Sequence, residues 1–269
     1  CANEHASLLW DDQRIKKLSF TGSAVVGWKL KEKAGTRKVT LELGGNAGVI
    51  IHGDADMEHA AKRCALGAFS YAGQVCISVQ RIYVERPVFE NFTELFLKEC
   101  AKIKMGDPMD EMTALGPMIE ESAAIRTEQW VKEALEEGAK VLLGGKRKGA
   151  FMEPTVLAGT RPSMKVCSEE VFAPVVSLEP YDSFDEALSK VNSGFYGLQA
   201  GVFTRDMARI LKAYDDLEVG GVIINDVPTH TADNMPYGGV KMSGSGREGV
   251  RYAIEEMTEM KLLALNPAF

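Results

Sequence analysis

The chain has 269 residues, 45% of them hydrophobic and 26% charged, with a formal net charge of −7. This is ordinary globular composition, with enough apolar mass to build a core in one large domain or two modest ones. The acidic balance argues against nucleic acid or an anionic membrane as the main partner, and no apolar run approaches a membrane span.

The sequence opens at Cys1 rather than Met, as CANEHASLLW. That start reads as a cut or processed chain, and no signal peptide is visible in it. Residues 16–20 (KKLSF) are expected to form a strand, and Thr21-Gly22-Ser23 turns into a helix over 24–34. A second strand at 38–43 (KVTLEL) is broken by Gly44-Gly45, and AGVII at 47–51 is a third. Residues 56–69 are expected to be helical, with Ala60, Cys64 and Phe69 near one face. A strand follows at 81–85, after which Pro87 starts an amphipathic helix that turns Phe89, Phe92, Phe96 and Cys100 inward. The GDP at 106–108 is a stop. A long helix over 119–138 ends at Gly138, a residue suited to the position after a helix. Strands near 139–143, 174–180, 199–203 and 221–225 then alternate with helices near 183–192 and 205–217. The tail at 258–265 (TEMKLLAL) is expected to be a last strand. Repeated β-α units of this kind imply an α/β fold with a mostly parallel sheet covered on both faces.

The cysteines are Cys1, Cys64, Cys76, Cys100 and Cys167. An odd count at wide spacing with no CxxC pair points to no disulfide framework and no metal site, and to a reducing compartment, the cytoplasm. Cys64 and Cys100 fit apolar helix faces, and Cys167, before an acidic pair, is ambiguous. Cys76 lies in YAGQVCISVQR, between a helix and a strand. A thiol at such a junction is either a nucleophile open to a cleft or a small buried hydrophobe.

Glu42 sits between two apolar residues near a strand end. Burial there raises a carboxyl pKa, as a general base near neutral pH requires, but by itself the position reads first as an outward-facing strand residue, which alternation allows. Gly44-Gly45 permits close backbone approach to a ligand. Gly22 and Ser23 form a strand–turn–helix junction that either meets a phosphate or is a plain helix cap. Glu170 and Phe172 stand two apart, on one side of an extended backbone, and the alternative is a solvated acidic loop with a core aromatic. Asn225 ends an apolar strand, the usual place for α/β ligand sites. His230 beyond it reads more simply as a solvated loop histidine. Ser243–Arg247 (SGSGR) reads as a mobile glycine loop rather than a phosphate cradle.

FTGS, LELGGN, GQVC with Arg81 beyond it, EEVFAP and PYGGVKMSGSGREG follow one another along the chain. Each alone is weak, but the ordered set resembles the aldehyde dehydrogenase superfamily from about Lys17 to the C-terminus. The resemblance implies an aldehyde dehydrogenase-like α/β fold. Residues 1–44 would be the end of a Rossmann-type cofactor domain and residues 45–242 a catalytic domain with a mostly parallel sheet. Residues 243–269 would be a return segment with an oligomerisation strand. It implies an oxidoreductase that converts an aldehyde to a carboxylic acid with NAD or NADP, through a thiohemiacetal and a thioester on Cys76. Glu42 would activate the deacylating water, and the Cys76 N–H would supply half of an oxyanion hole. Gly22 and Ser23 would meet the cofactor pyrophosphate, Glu170 its ribose and Phe172 its nicotinamide. Arg81 would be structural. Val75, Ile77, His230 and Thr231 are the expected substrate contacts, and a homodimer or homotetramer the expected assembly. The loop NDVPTHTADNMPYGG is similar to those of enzymes acting on lactaldehyde, glyceraldehyde or succinate semialdehyde. Ala173 departs from the family's more common Gly. Family chains are nearly twice as long, so this chain by itself is expected to bind cofactor poorly. Two other readings stay open: an inactive fragment that only assembles, and a cysteine acyltransferase or hydrolase without nicotinamide. The second needs a histidine base near Cys76, yet none of His5, His52, His59 and His230 is close in sequence.

Overall fold

In the computed structural model, which describes Leu8 and residues 11–267, the chain is built on two sheets; Cys1 and His5 lie outside the described residues. The first begins with β1 (Lys17–Thr21), α1 (Ala24–Lys33) and β2 (Lys38–Glu42). β1 and β2 pair in parallel, with Thr21 opposite Glu42. Ser23 caps α1, its hydroxyl accepting the Val26 N–H. Gly27 lets the helix press onto the strand end, since a Cβ there would fall 2.4 Å from Leu43 Cδ2.

The second sheet is the larger. Its chain order is β3 (Ala47–Ile51), α2 (Met57–Phe69), β4 (Val79–Glu85), α3 (Phe89–Cys100), α4 (Glu121–Glu136) and β5 (Lys140–Leu143). A two-residue ribbon, β6 (Arg147–Lys148) and β7 (Phe151–Met152), leads to β8 (Thr155–Ala158), α5 (Lys165–Ser168), β9 (Val175–Tyr181) and α6 (Phe184–Asn192). Then come β10 (Tyr196–Gly197), β11 (Gln199–Phe203), α7 (Met207–Asp216) and β12 (Gly221–Ile224). The strand order is β12-β11-β3-β4-β9-β8-β5, and every neighbouring pair is parallel except β5 with β8. Both faces are covered. Val49, Ile51, Ile82 and Val84 pack with α2 and α3 on one side, while Ile50, Tyr83 and Val202 pack with α6 and α7 on the other. That is why AGVII is apolar throughout rather than alternating.

The chain then returns to the first sheet. β13 (Val240–Lys241) pairs with β10, β14 (Gly244–Ser245) pairs antiparallel with β2, and α8 (Val250–Met257) follows. Two expectations are corrected here. Ser243–Arg247 is not a free glycine loop: Ser243 is buried, its Oγ accepts the Gly197 N–H at 2.9 Å, and Arg247 donates to the Gly239 and Gly246 carbonyls. The tail at 258–265 is not a strand, and Met260, Leu262, Leu263 and Leu265 are exposed. A strand needs a neighbour to accept its backbone hydrogen bonds, and no described residue offers that tail one. β8 and α8 were not anticipated from the sequence.

Candidate active site

Glu42 is the last residue of β2, flanked in register by Thr21 on one side and Gly244 on the other. The central position of β2 in its sheet buries the side chain to 5% exposure. Its backbone carbonyl accepts the Gly22 N–H at 3.1 Å, fixing the turn before α1. Its Oε1 has no hydrogen-bond partner among the described residues. Burial first, then the negative charges of Glu248 and Glu170, push this carboxyl up to about 7; the neighbouring Cys76 thiol and Tyr237 hydroxyl pull it back down.

Cys76 sits in the turn between the short helical segment Ser70–Gly73 and β4. Tyr71, Ala72 and Gly73 all have positive φ (53°, 56° and 67°), a tight reversal that only Gly73 adopts without steric cost. Gly73 is also needed for closeness, because a Cβ would fall 2.1 Å from the Ala173 carbonyl oxygen. Ala173 itself is buried without positive φ, so the departure from glycine there is accommodated. The thiol is half-buried and its Sγ lies 3.3 Å from the Tyr237 hydroxyl oxygen. Burial, then the Glu42 charge, push the thiol up to about 11. The Cys76 N–H has no partner among the described residues. Cys64, Cys100 and Cys167 are buried in the core.

A cleft of about 630 Å³ opens over this pair. Thr21, Gly22, Ser23, Glu42, Cys76, Glu170 and Phe172 all line it, so the turn at the N-terminus of α1 reaches one cleft with the thiol and both acids. The Glu170 Oε1 accepts the Gly45 N–H at 2.8 Å, and burial raises its pKa. The glycine pair makes this possible: a Cβ on Gly44 would fall 2.1 Å from Glu170 Oε2, and one on Gly45 would fall 2.0 Å from the Cys76 carbonyl oxygen. Close approach is thus used by Glu170 and by the Cys76 backbone. Phe172 has φ 50°, so the extended-backbone account of Glu170 and Phe172 is replaced. A left-handed residue brings the ring to the cleft, and Arg126 holds the segment through the Val171 carbonyl at 2.8 Å.

The remaining expected residues are spread out. Val75 lines the cleft, whereas Ile77 is buried and does not. His230 and Thr231 lie on the exposed turn after β12 and do not line it either. His230 Nδ1 stands 4.0 Å from Asp226. Asn225, in left-handed conformation (φ 55°), accepts the Thr204 N–H and is structural. Arg81, 3% exposed, binds the carbonyls of Asn46, Lys190 and Val191 and the Tyr83 hydroxyl. The sequence reading did not single out Tyr237, Arg126, Gln74 or Asn46. Gln74 lines the cleft and accepts the Ile119 N–H, and Asn46 donates to the Cys167 and Glu169 carbonyls, bracing the acidic loop from behind. No helix among the described residues is long and apolar enough to cross a membrane.

A sequence model described as the aldehyde dehydrogenase family matches residues 2–263. The chain is 52% identical over 258 residues to a 3-sulfolactaldehyde dehydrogenase of Priestia aryabhattai, covering 96% of this chain and 54% of that protein. Its fold superposes on the crystal structure of aldehyde dehydrogenase 21 from Physcomitrella patens in complex with the reaction product succinate, with TM-score 0.96 and 46% identity, covering 99% of this chain and 56% of the other. Glyceraldehyde-3-phosphate dehydrogenase GapN from Methanocaldococcus jannaschii, complexed with NADP, gives TM-score 0.91 at 43% identity, covering 94% and 55%. The chain therefore spans about half the length of these relatives.

Proposed function

The chain belongs to the aldehyde dehydrogenase family, and on that premise we propose that it carries the nucleophile and the hydrolytic base of an NAD(P)-dependent enzyme that oxidises an aldehyde to a carboxylic acid. One observation carries the reading. A buried carboxylate with an unpartnered oxygen, poised near neutral pH, shares a cleft with a half-buried thiol. Buried polar atoms are normally satisfied, so an orphaned acceptor beside a nucleophile marks where a reacting water is to be held.

Cys76 adds as thiolate to the aldehyde carbon, and its free N–H donates to the oxygen that becomes negative. The resulting thiohemiacetal is the species that gives up hydride and becomes a thioester. Glu42, with a pKa near the working pH, takes the proton of the water that releases the acid. The donor set in the cleft fits a nicotinamide dinucleotide. The Gly22–Ser23 turn at the N-terminus of the ten-residue α1 suits the pyrophosphate, Glu170 a ribose hydroxyl and Phe172 the nicotinamide ring. When bound, NAD or NADP supplies the hydride acceptor.

Residues 1–44 are the end of a cofactor domain in this reading, residues 45–242 the catalytic domain and residues 243–269 the return segment. The break falls between the two sheets, and β14 rejoins β2. The four exposed apolar residues of the tail favour association of two or four copies, and the free cysteines a reducing cytoplasm. Small hydroxylated aldehydes and semialdehydes are the substrate class, with Val75, which lines the cleft, as the candidate contact. A histidine-assisted acyl transfer is disfavoured. His52 bonds Asp54, His59 bonds the Asn225 carbonyl and His230 faces Asp226, so these three are engaged elsewhere.

The test uses the whole protein with NAD or NADP and, in turn, 3-sulfolactaldehyde, lactaldehyde, glyceraldehyde and succinate semialdehyde. Cys76→Ala should abolish oxidation. Glu42→Gln should lose steady-state oxidation, and the acyl adduct that forms slowly on Cys76 should persist, visible by mass spectrometry. Normal oxidation by Cys76→Ala would sink the reading.

A further inference from the structure

Tyr237 touches the reacting sulfur, and packing alone does not account for its hydroxyl. The ring reaches Cys76 from a part of the chain 161 positions away. Its backbone is pinned on both sides, because Tyr237 N–H donates to the Glu248 carbonyl and the Glu248 N–H donates back. The hairpin behind it is tightly drawn. A Cβ on Gly239 would fall 2.4 Å from Ser243 Cβ, and Arg247 ties the Gly239 and Gly246 carbonyls together. The phenol is therefore held in place rather than swung in from solvent. Its hydroxyl sits 3.3 Å from Sγ, with the Glu42 carboxylate alongside both groups. A phenylalanine would fill the same space, so the added oxygen has its consequence at the thiol.

We propose that Tyr237 is a catalytic residue of the addition step, donating its O–H to the Cys76 sulfur as the thiol gives its proton to Glu42. The step balances: the S–H bond breaks, an O–H bond forms on the carboxylate, and Tyr237 keeps its own proton throughout while stabilising the new thiolate by hydrogen bonding. The surroundings agree with this direction of donation. Burial and the nearby Cys76 and Glu42 charges raise the pKa of Tyr237, so the phenol stays a donor at every working pH. The same contact holds the thiol below where burial would leave it. Hydrogen bonds to ionised sulfur at a half-buried site are stronger than neutral ones. The inference rests on the reading of Cys76 as the nucleophile.

Alkylation of Cys76 by iodoacetamide across pH, read peptide by peptide by mass spectrometry, separates the two. In the native chain the Cys76 rate should follow a single ionisation. Tyr237→Phe should move that ionisation up by about one unit, and so slow alkylation below it about tenfold. Tyr214→Phe, at an exposed tyrosine far along the chain, should leave it unmoved. Replacing tyrosine by 3-fluorotyrosine, a stronger donor, should move the Cys76 ionisation down in the native background and not in Tyr237→Phe, which guards against a misfolded variant. An unchanged or lowered ionisation in Tyr237→Phe, with Cys76 still reactive, overturns the role of Tyr237 alone. A Cys76 that resists alkylation at every pH until the protein is denatured overturns the nucleophile, and this inference with it.

Discussion

At the scale of the residue, Glu42 is a destabilised group. A carboxylate buried to 5% exposure with one oxygen unpartnered favours its protonated form, and its pKa rises to about 7. Because the folded value lies above the unfolded one, the stability linked to this group is fully present below the ordinary carboxyl range. It is lost as pH rises through 7. Glu42→Gln removes that dependence. Its unfolding free energy, measured in urea, should therefore gain about 2 kcal/mol on the native chain between pH 5 and pH 9. A constant difference would show that the carboxyl is not pushed up. The local sequence made Glu42 a candidate through its apolar neighbours and the Gly44-Gly45 pair that follows. It did not reveal that β14 would close over the other edge of β2, which is what buries the side chain.

At the scale of the element, the cleft depends on how segments are braced from behind. Arg81 on β4 gathers the carbonyls of Asn46, Lys190 and Val191, and so ties the start of β3 to the end of α6. Arg81→Met leaves those acceptors buried without donors, and should cost about 3 kcal/mol by chemical denaturation. A loss under about 1 kcal/mol would mean that water replaces the guanidinium. Element boundaries were largely legible, because 47–51 is a short unbroken apolar run and 56–69 carries an apolar period of 3.6. The exceptions have physical causes. The four-residue β8 is fixed by its neighbours β5 and β9 rather than by its own pattern. TEMKLLAL has strand-like content but no edge to join among the described residues, and propensity alone does not make a strand.

At the scale of the molecule, the two sheets are unequal. The seven-stranded sheet is helix-covered on both faces, whereas the three-stranded one leaves β1 at an edge, with Val25 and Val26 of α1 and Val250, Ile254 and Met257 of α8 exposed. Amides of β2 should therefore exchange with deuterium faster than those of β3, β4 and β9 in the isolated chain. Equal protection would mean that both sheets open as one cooperative unit. What the sequence by itself determined was the α/β alternation, the apolar central strands and the ordered short motifs, since these are set by residues near one another along the chain. Which groups share the cleft was decided only by tertiary structure. Glu42, Cys76, Glu170 and Tyr237 come from four separate segments, and their pKa values follow from mutual distance and loss of water. The same holds for Gly44 and Gly45: the sequence predicted close approach to a ligand there, whereas in the fold the space is taken by the Glu170 carboxylate and the Cys76 carbonyl.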